Sequence, residues 1–207
     1  MMYNQKGFTI LELIVVVAII TVVTGIILPV YFSMKPTIRV NGAARQIQGD
    51  FMWARMRAIS ENNNYAIVFG SAGATGPDLS NNTYYIYDDD NGDFNDPAVP
   101  DANELVKTVV ISGEYEGVGY GFVPGMDDTS GGTLNAGDPP VTFQPASNIS
   151  WFKFKPNGRS NKNGSIYLIL DEDETNGRKD RSRAITVILQ TGRIKIYDYN
   201  AINDEWE

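Results

Sequence analysis

The sequence predicts an α+β protein in which a long N-terminal helix, half transmembrane and half amphipathic, packs on an antiparallel β-sheet domain. Three observations predict this fold class. Residues 8–32 hold a single charge, residues 35–63 carry an apolar stripe at helical spacing, and β-branched and aromatic runs separated by turns follow residue 64. The chain therefore divides into a transmembrane helix over residues 8–34, an amphipathic helix over 35–63 and a β-rich globular domain over 64–207.

The first segment is long and apolar enough to cross a membrane. At a rise of about 1.5 Å per residue, residues 8–32 cover an apolar layer of about 30 Å. Lys6 lies beside the apolar edge, and basic residues favour the cytoplasmic side. We expect a single-pass topology with the N-terminus in the cytoplasm. Glu12 lies inside the apolar run, where an ionised carboxylate is costly, so it is a functional candidate that needs a partner.

The residues around Glu12 form a recognisable motif. Gly7-Phe8-Thr9-Ile10-Leu11-Glu12-Leu13 resembles the processing signal of type IV pilins and type II secretion pseudopilins. The resemblance implies that residues 1–7 are a leader peptide, that a prepilin peptidase cuts between Gly7 and Phe8, and that Phe8 becomes N-methylated. It also implies that Glu12 compensates the terminal amine of a neighbouring subunit during assembly. The alternative is a plain signal anchor in which Gly7 and Glu12 have no such role.

The amphipathic helix is predicted from a second pattern. Gly25 and Pro29 interrupt the apolar helix, because proline lacks an amide hydrogen, and we expect a kink or local melting there. After Pro36 the helix resumes, with apolar residues at alternating spacings of four and three. This stripe, on which a sheet would dock, consists of Val40, Ala44, Ile47, Phe51, Ala54 and Ala58.

The remainder of the chain is predicted to form strands. The candidate strands are residues 65–69, 83–87, 106–111, 151–154, 165–170, 184–189 and 194–197. Thr191-Gly192 joins the last two closely enough for a hairpin, which predicts an antiparallel sheet. Residues 118–140 are rich in Gly, Asp and Pro and predict a long irregular loop.

Three further segments narrow the resemblance. Ala54-Arg55-Met56-Arg57-Ala58, Phe154-Lys155-Pro156-Asn157-Gly158-Arg159 and Thr191-Gly192-Arg193-Ile194-Lys195-Ile196 are similar to segments of the GspH/FimT class of minor pseudopilins. This class implies a pilin-like fold and a structural subunit that starts in the bacterial inner membrane, with its globular domain in the periplasm, and then enters a pilus or pseudopilus filament. The partners implied are other pilins or pseudopilins, the prepilin peptidase and an inner-membrane assembly platform.

An acidic segment at residues 88–96 suggests a metal site. Its oxygen ligands are dense enough for Ca²⁺, although the spacing is not that of an EF-hand. The candidate ligands are Asp88, Asp90, Asp93 and Asp96. We favour the simpler interpretation, an Asn-Gly turn with solvated acids between two strands, and a calcium site is the alternative. No cofactor is required by this interpretation, and calcium is the one that the residues suggest.

A second acidic run, residues 171–174, precedes Asn176-Gly177 and a group of basic residues. We interpret it as a charged, solvated hairpin tip that discourages edge pairing. A binding patch is the alternative.

A late basic motif raises the question of nucleic acid. Minor pilins of the FimT type that take up DNA use a Gly-Arg-x-Arg motif, and here Arg193 and Lys195 occupy its two basic positions. Lys is a poorer bidentate phosphate ligand than Arg, and the net charge of −8 repels a nucleic acid backbone. We therefore expect no nucleic acid partner, while keeping Arg193 and Lys195 as the candidate contacts.

Composition bounds the remaining function classes. The chain has no Cys and no His, so it has no disulfide, thiol chemistry or imidazole base, and it carries no phosphate-binding loop or nucleophile elbow. We expect a structural subunit and no enzyme. Many pilins close their last loop with a disulfide, which this chain must replace. The alternatives are a major pilin that forms the whole fibre and a DNA-binding or adhesive minor pilin.

Overall fold

The structure is a computed structural model that describes residues 8–70, 82–92, 102–143 and 150–207. Helix α1 runs over Ile10–Glu61 and includes Pro29 and Pro36. Of the predicted kink or local melting around Gly25 to Pro29, the melting is therefore wrong for the isolated chain, and the kink stays a prediction. A proline in a helix removes one backbone hydrogen bond, to the carbonyl four residues earlier, and the bonds of the neighbouring turns are sufficient to continue the helix.

The contacts divide the chain into two units, residues 1–38 and residues 39–207. In the first unit, the part of α1 from Ile10 onward exposes nearly all its apolar side chains, for example Leu11 and Ile26 at 74% and 67%. This helix is long and apolar enough to cross a membrane. Such a surface is unfavourable in water and favourable in lipid, as the sequence predicts.

In the second unit, α1 contributes one buried face to the core. All six residues of the predicted stripe are buried, which confirms the amphipathic helix, and Ala43 joins them. Phe51 is the largest side chain on this face, and its ring lies 5.2 Å from Phe152 and 6.0 Å from Tyr84 in edge-on contacts. Burying a side chain of this size contributes roughly 3 kcal/mol of transfer free energy.

The described strands form two antiparallel sheets. They are β1 (Asn64–Phe69), β2 (Thr83–Asp89), β3 (Leu105–Val110), β4 (Val118–Tyr120), β5 (Trp151–Phe154), β6 (Gly164–Leu170), β7 (Arg183–Ile188), β8 (Arg193–Asn200) and β9 (Glu205–Trp206). One sheet has the order β3-β2-β1-β5 and the other β4-β6-β7-β8-β9. All seven predicted strands are confirmed within one or two residues at most ends, and β4 and β9 are additional.

Two short helices interrupt the strands. Helix α2 covers Ile111–Glu114 and α3 covers Asp171–Asn176. Helix α3 lies in the connection between β6 and β7, where we expected a solvated acidic tip. That expectation is wrong for Asp173, which is 1% exposed and forms an ion pair with the buried Arg181. A carboxylate can be buried here because a guanidinium is buried beside it.

The end of the chain is closed without sulfur. Strand β9 pairs with β8, and Asp198 and Glu207 exchange backbone hydrogen bonds of 3.0 and 2.9 Å. The indole Nε1 of Trp206 donates to the carbonyl of Asp127 at 2.6 Å. Asp204 accepts from Lys179 and from the hydroxyl of Tyr199 at 2.9 and 2.6 Å. These contacts hold the last residues where a disulfide holds them in many pilins.

We predict that Trp206→Ala lowers the free energy of unfolding by about 2 kcal/mol, because it removes aromatic contacts with Tyr167 and Tyr199 and leaves the Asp127 carbonyl without its donor. Thermal unfolding of the purified protein in detergent measures the loss. Ile202→Ala is the matched control, since Ile202 is 94% exposed in the β8–β9 turn and its removal should change little. Equal effects of the two changes would contradict the role given to Trp206.

The contacts of Asp204 also make the stability of the fold depend on pH. Hydrogen bonds from Lys179 and then Tyr199 hold the pKa of Asp204 below its usual 3.8. A lowered pKa means that the carboxylate stabilises the fold above its unfolded pKa and loses that contribution as the pH falls through the folded pKa. We predict that Asp204→Asn lowers the melting temperature at pH 7. The difference in melting temperature between pH 7 and pH 3 should then be smaller in the variant than in the wild type. A variant with the wild-type pH profile would show that Asp204 does not contribute.

Candidate functional site

The N-terminus of α1 carries the first candidate site. Phe8 is 86% exposed, and the helix begins at Ile10, two residues later. Gly7 lies outside the described residues, so the predicted cleavage position is described on one side only. The exposed start of the helix is compatible with access by a peptidase, and the cleavage stays a prediction.

Glu12 is held by its own helix. Its Oε2 accepts hydrogen bonds from the backbone N–H of Thr9 at 2.9 Å and from the Thr9 hydroxyl at 3.0 Å. In return, the N–H of Glu12 donates to Oγ1 of Thr9 at 3.3 Å. This reciprocal pair is a capping box, which satisfies two of the amide groups that a helix start leaves without partners.

The capping box leaves one carboxylate oxygen for another partner. Both bonds from Thr9 end on Oε2, and in the described part of the chain Oε1 receives no hydrogen bond. A cation arriving from another chain can therefore bind Oε1 while the helix stays capped. The role of Thr9 was not predicted from the sequence, although Thr9-x-x-Glu12 has the spacing of a capping box.

A second site lies where the three segments that resemble the GspH/FimT class meet. Arg55 of α1 donates through Nε to the carbonyl of Gly158 at 2.8 Å and through a terminal nitrogen to the carbonyl of Thr191 at 3.0 Å. One guanidinium thus binds the turn before β6 and the turn between β7 and β8. These contacts join three segments that are far apart in the sequence, the Ala-Arg segment and the two Gly-containing segments. We call the place where they meet the Arg55 junction.

Gly192 is required by the close packing of the Arg55 junction. Its backbone lies in the left-handed region, with φ at 60°, and a Cβ built on it would lie 2.0 Å from the carbonyl oxygen of Gly158. The two turns approach each other so closely that no side chain fits between them.

The candidate nucleic acid contacts lie beside this junction. Arg193 is exposed, and its backbone N–H donates to the Thr191 hydroxyl at 3.2 Å. Lys195 is half-buried, with its ammonium 5.4 Å from the ring centroid of Tyr197. The two cations begin the same strand, β8. The expectation that nucleic acid is not a partner stays a prediction, and Arg193 and Lys195 stay the candidate contacts.

The candidate calcium ligands are described in part. Asp88 and Asp90 are described, whereas Asp93 and Asp96 lie outside the described residues. The Asp88 carboxylate accepts from Asn63 at 2.5 Å and from Tyr65 at 3.1 Å, which ties β2 to the end of α1. Within the described ranges, no group of three or more acidic, His or Cys side chains could hold a metal ion. Calcium stays a prediction for the whole segment.

Comparison with known families gives two matches. The model described as "Prokaryotic N-terminal methylation motif" matches residues 2–28, and the model described as "Type II transport protein GspH" matches residues 43–192, more than half of the chain. The first range includes Gly7, Phe8 and Glu12. The second includes Arg55, Gly158, Thr191 and Gly192 of the Arg55 junction and ends before Arg193. No curated protein matches the sequence.

Solved structures of low sequence identity are also similar. The type IV minor pilin FimU of Pseudomonas aeruginosa is 12% identical, with 76% of this chain and 87% of that chain covered at a TM-score of 0.42. A second crystal form of FimU is 13% identical, with 75% of this chain and 90% of that chain covered at a TM-score of 0.43. The minor pseudopilin EpsH of the Vibrio cholerae type 2 secretion system is 9% identical, with 77% and 97% covered at 0.44.

The Arg55 junction predicts a difference between two glycines of nearly equal backbone conformation. Gly177 has φ at 69° with open space around its Cβ position, and Gly192 has φ at 60° against the Gly158 carbonyl. Gly177→Ala should lower the free energy of unfolding by about 1 kcal/mol through backbone conformation alone. Gly192→Ala should cost about 3 kcal/mol, because the turns must also separate.

Denaturant unfolding of both variants in the same detergent measures this difference. Equal losses would show that the two turns tolerate separation and that the Arg55 junction is not tightly packed.

Proposed function

We propose a function for this chain from the premise that it belongs to the family of the type II transport protein GspH. It is a minor pilin-like subunit of a type II secretion pseudopilus or a type IV pilus. The observation that carries this function is the family match over residues 43–192, together with the methylation motif over residues 2–28. The family and the fold are those of structural pilin subunits, so the function is assembly and not catalysis.

The N-terminal segment sets the order of events. A prepilin peptidase cuts between Gly7 and Phe8 on the cytoplasmic side, and Phe8 becomes the N-methylated terminus. Residues 8–34 then anchor the subunit in the inner membrane, with the globular domain in the periplasm, until the assembly platform transfers it to the filament. The exposed apolar surface of this segment supports the anchor, since such a surface needs lipid or the helices of neighbouring subunits around it.

Glu12 acts in two stages. Before assembly its carboxylate lies in lipid, where a charged side chain costs about 3 kcal/mol, and the bonds from Thr9 offset part of that cost. During assembly, the terminal amine of a neighbouring subunit binds Oε1, the oxygen that Thr9 leaves open. Two charges that are unfavourable separately in lipid are tolerated as a pair. The pairing fixes the position of one subunit along another.

Thr9 and Glu12 give this mechanism a graded test. Glu12→Leu removes the anion and should reduce incorporation into sheared filaments at least tenfold. Thr9→Val keeps the shape but removes the hydroxyl, so Glu12 loses one donor and its amide loses an acceptor, and we expect an intermediate reduction of about threefold. Thr9→Ser keeps the hydroxyl and should behave like the wild type.

Quantitative mass spectrometry of sheared filaments counts the subunits, and the same spectra identify the mature N-terminus. The expected terminus is N-methylated Phe8 in all three variants. A product that begins at Met1 would contradict the processing, and Glu12→Leu filaments with wild-type content would contradict the pairing.

A further inference from the structure

One surface of the globular domain combines exposed apolar and basic side chains. It consists of Met52, Met56 and Ile59 on the outer face of α1 and of Arg159 and Arg193 on the two turns of the Arg55 junction. We call these five residues the Met–Arg patch. The proposed function assigns no role to this surface, which lies entirely in the second unit of the chain.

The apolar half of the patch is a row on one helix face. Met52, Met56 and Ile59 follow one another at spacings of four and three, and they are 51%, 63% and 49% exposed. Each residue of a helix is turned by about 100° from the one before it, so Met52 and Met56, one and five positions after the buried Phe51, are turned about 100° and 140° away from it around the axis of α1. About half of the surface of each side chain in this row is left uncovered by the described part of the domain.

The basic half of the patch is held close to that row. A Cβ built on Gly158 would lie 2.8 Å from Cδ1 of Ile59, so the first turn packs directly beside the end of the row. Arg159 follows Gly158 in the chain. Arg193 follows Gly192, on which a built Cβ would lie 2.0 Å from the carbonyl oxygen of Gly158. Both arginines are exposed, and among the described residues neither forms an ion pair.

The composition of the patch indicates the chemistry of what covers it. Met and Arg are enriched at protein interfaces relative to the rest of the protein surface. The chain as a whole has a net charge of −8, so two arginines without partner anions stand out against an acidic surface. A phosphate backbone would use the arginines but not the apolar row beside them, and an apolar protein surface rimmed by carboxylates would use both.

We propose that the Met–Arg patch docks a neighbouring filament subunit through an apolar surface rimmed by Asp or Glu side chains. The inference rests on the proposed function, because it takes the partner to be another subunit of the same filament. The apolar row gives the contact its buried area, and the arginines select an acidic partner and fix its orientation. The contact is separate from the one made by Glu12, which lies in the apolar helix.

Paired variants of the full chain test the proposal in cells that assemble the filament. Met52→Ser with Met56→Ser removes the apolar row, and Arg159→Glu with Arg193→Glu reverses the charge. Each pair should reduce the copies in sheared filaments at least tenfold at an unchanged melting temperature. Arg159→Gln with Arg193→Gln should reduce them less, because it removes attraction without adding repulsion. The controls are Ile202→Ser and Arg178→Glu, an exposed apolar and an exposed basic residue elsewhere, and both should incorporate normally.

Where a paired variant melts earlier than the wild type, the single changes Met56→Gln and Arg193→Gln replace it. Wild-type incorporation of the charge-reversed variant overturns the proposal. Incorporation at the wild-type level together with loss of binding to a 20-base-pair DNA duplex at low salt would assign the arginines to nucleic acid instead, and also overturns it.

A second measurement separates the proposal from the proposed function. The purified full chain in detergent is titrated with a fluorescein-labelled 20-residue peptide of Glu and Leu at low salt. Charge reversal of the two arginines should weaken peptide binding at least tenfold, and the two controls should not. If the wild-type chain never enters filaments, the proposed function fails, and an unchanged peptide affinity in the charge-reversed variant then overturns the patch as well.

Discussion

The apolar stripe of α1 is the constraint on which the globular domain depends. Val40, Ile47 and Phe51 belong to one continuous core that also contains residues of both sheets, such as Ile67 of β1 and Ile185 of β7. Each sheet contributes apolar side chains to this core, and α1 contributes its buried stripe. The strands that follow in the chain therefore depend on the stripe of α1 for part of their buried contacts.

The Arg55 junction explains why three segments that are far apart in the sequence all resemble the same family. A guanidinium has several donors in a fixed planar arrangement, so one side chain can satisfy carbonyls from two different turns. The two turns then lie so close together that a Cβ at position 192 would collide with the Gly158 carbonyl, so this position requires glycine. The segments that resemble the family are thus largely architectural, and the exposed Arg159 and Arg193 are what the architecture leaves available for binding. A basic motif next to a glycine turn is therefore not by itself a nucleic acid site.

Much of the fold follows from local patterns in the sequence. The buried stripe of α1 and seven strands were predictable because periodicity and β-branched composition act over a few residues. The two additional strands were not: β4 and β9 are two or three residues long, and their formation depends on partners that are distant in the chain, such as Leu170 for Val118. The burial of Asp173 could not be predicted either, since it depends on Arg181 eight residues later. At the N-terminus, Glu12 was identified from its position in lipid, whereas Thr9 was missed although its spacing is a known capping signal.

The sulfur-free closure of the last strand has a consequence for biogenesis. Backbone pairing, an indole donor and the Lys179–Asp204 ion pair form without any oxidant. The fold of this subunit therefore does not wait for thiol-oxidising enzymes, and reducing agents leave it intact. A filament that includes it has one component whose folding does not depend on the redox state of the compartment, and the ionised Asp204 contributes to the stability of that component.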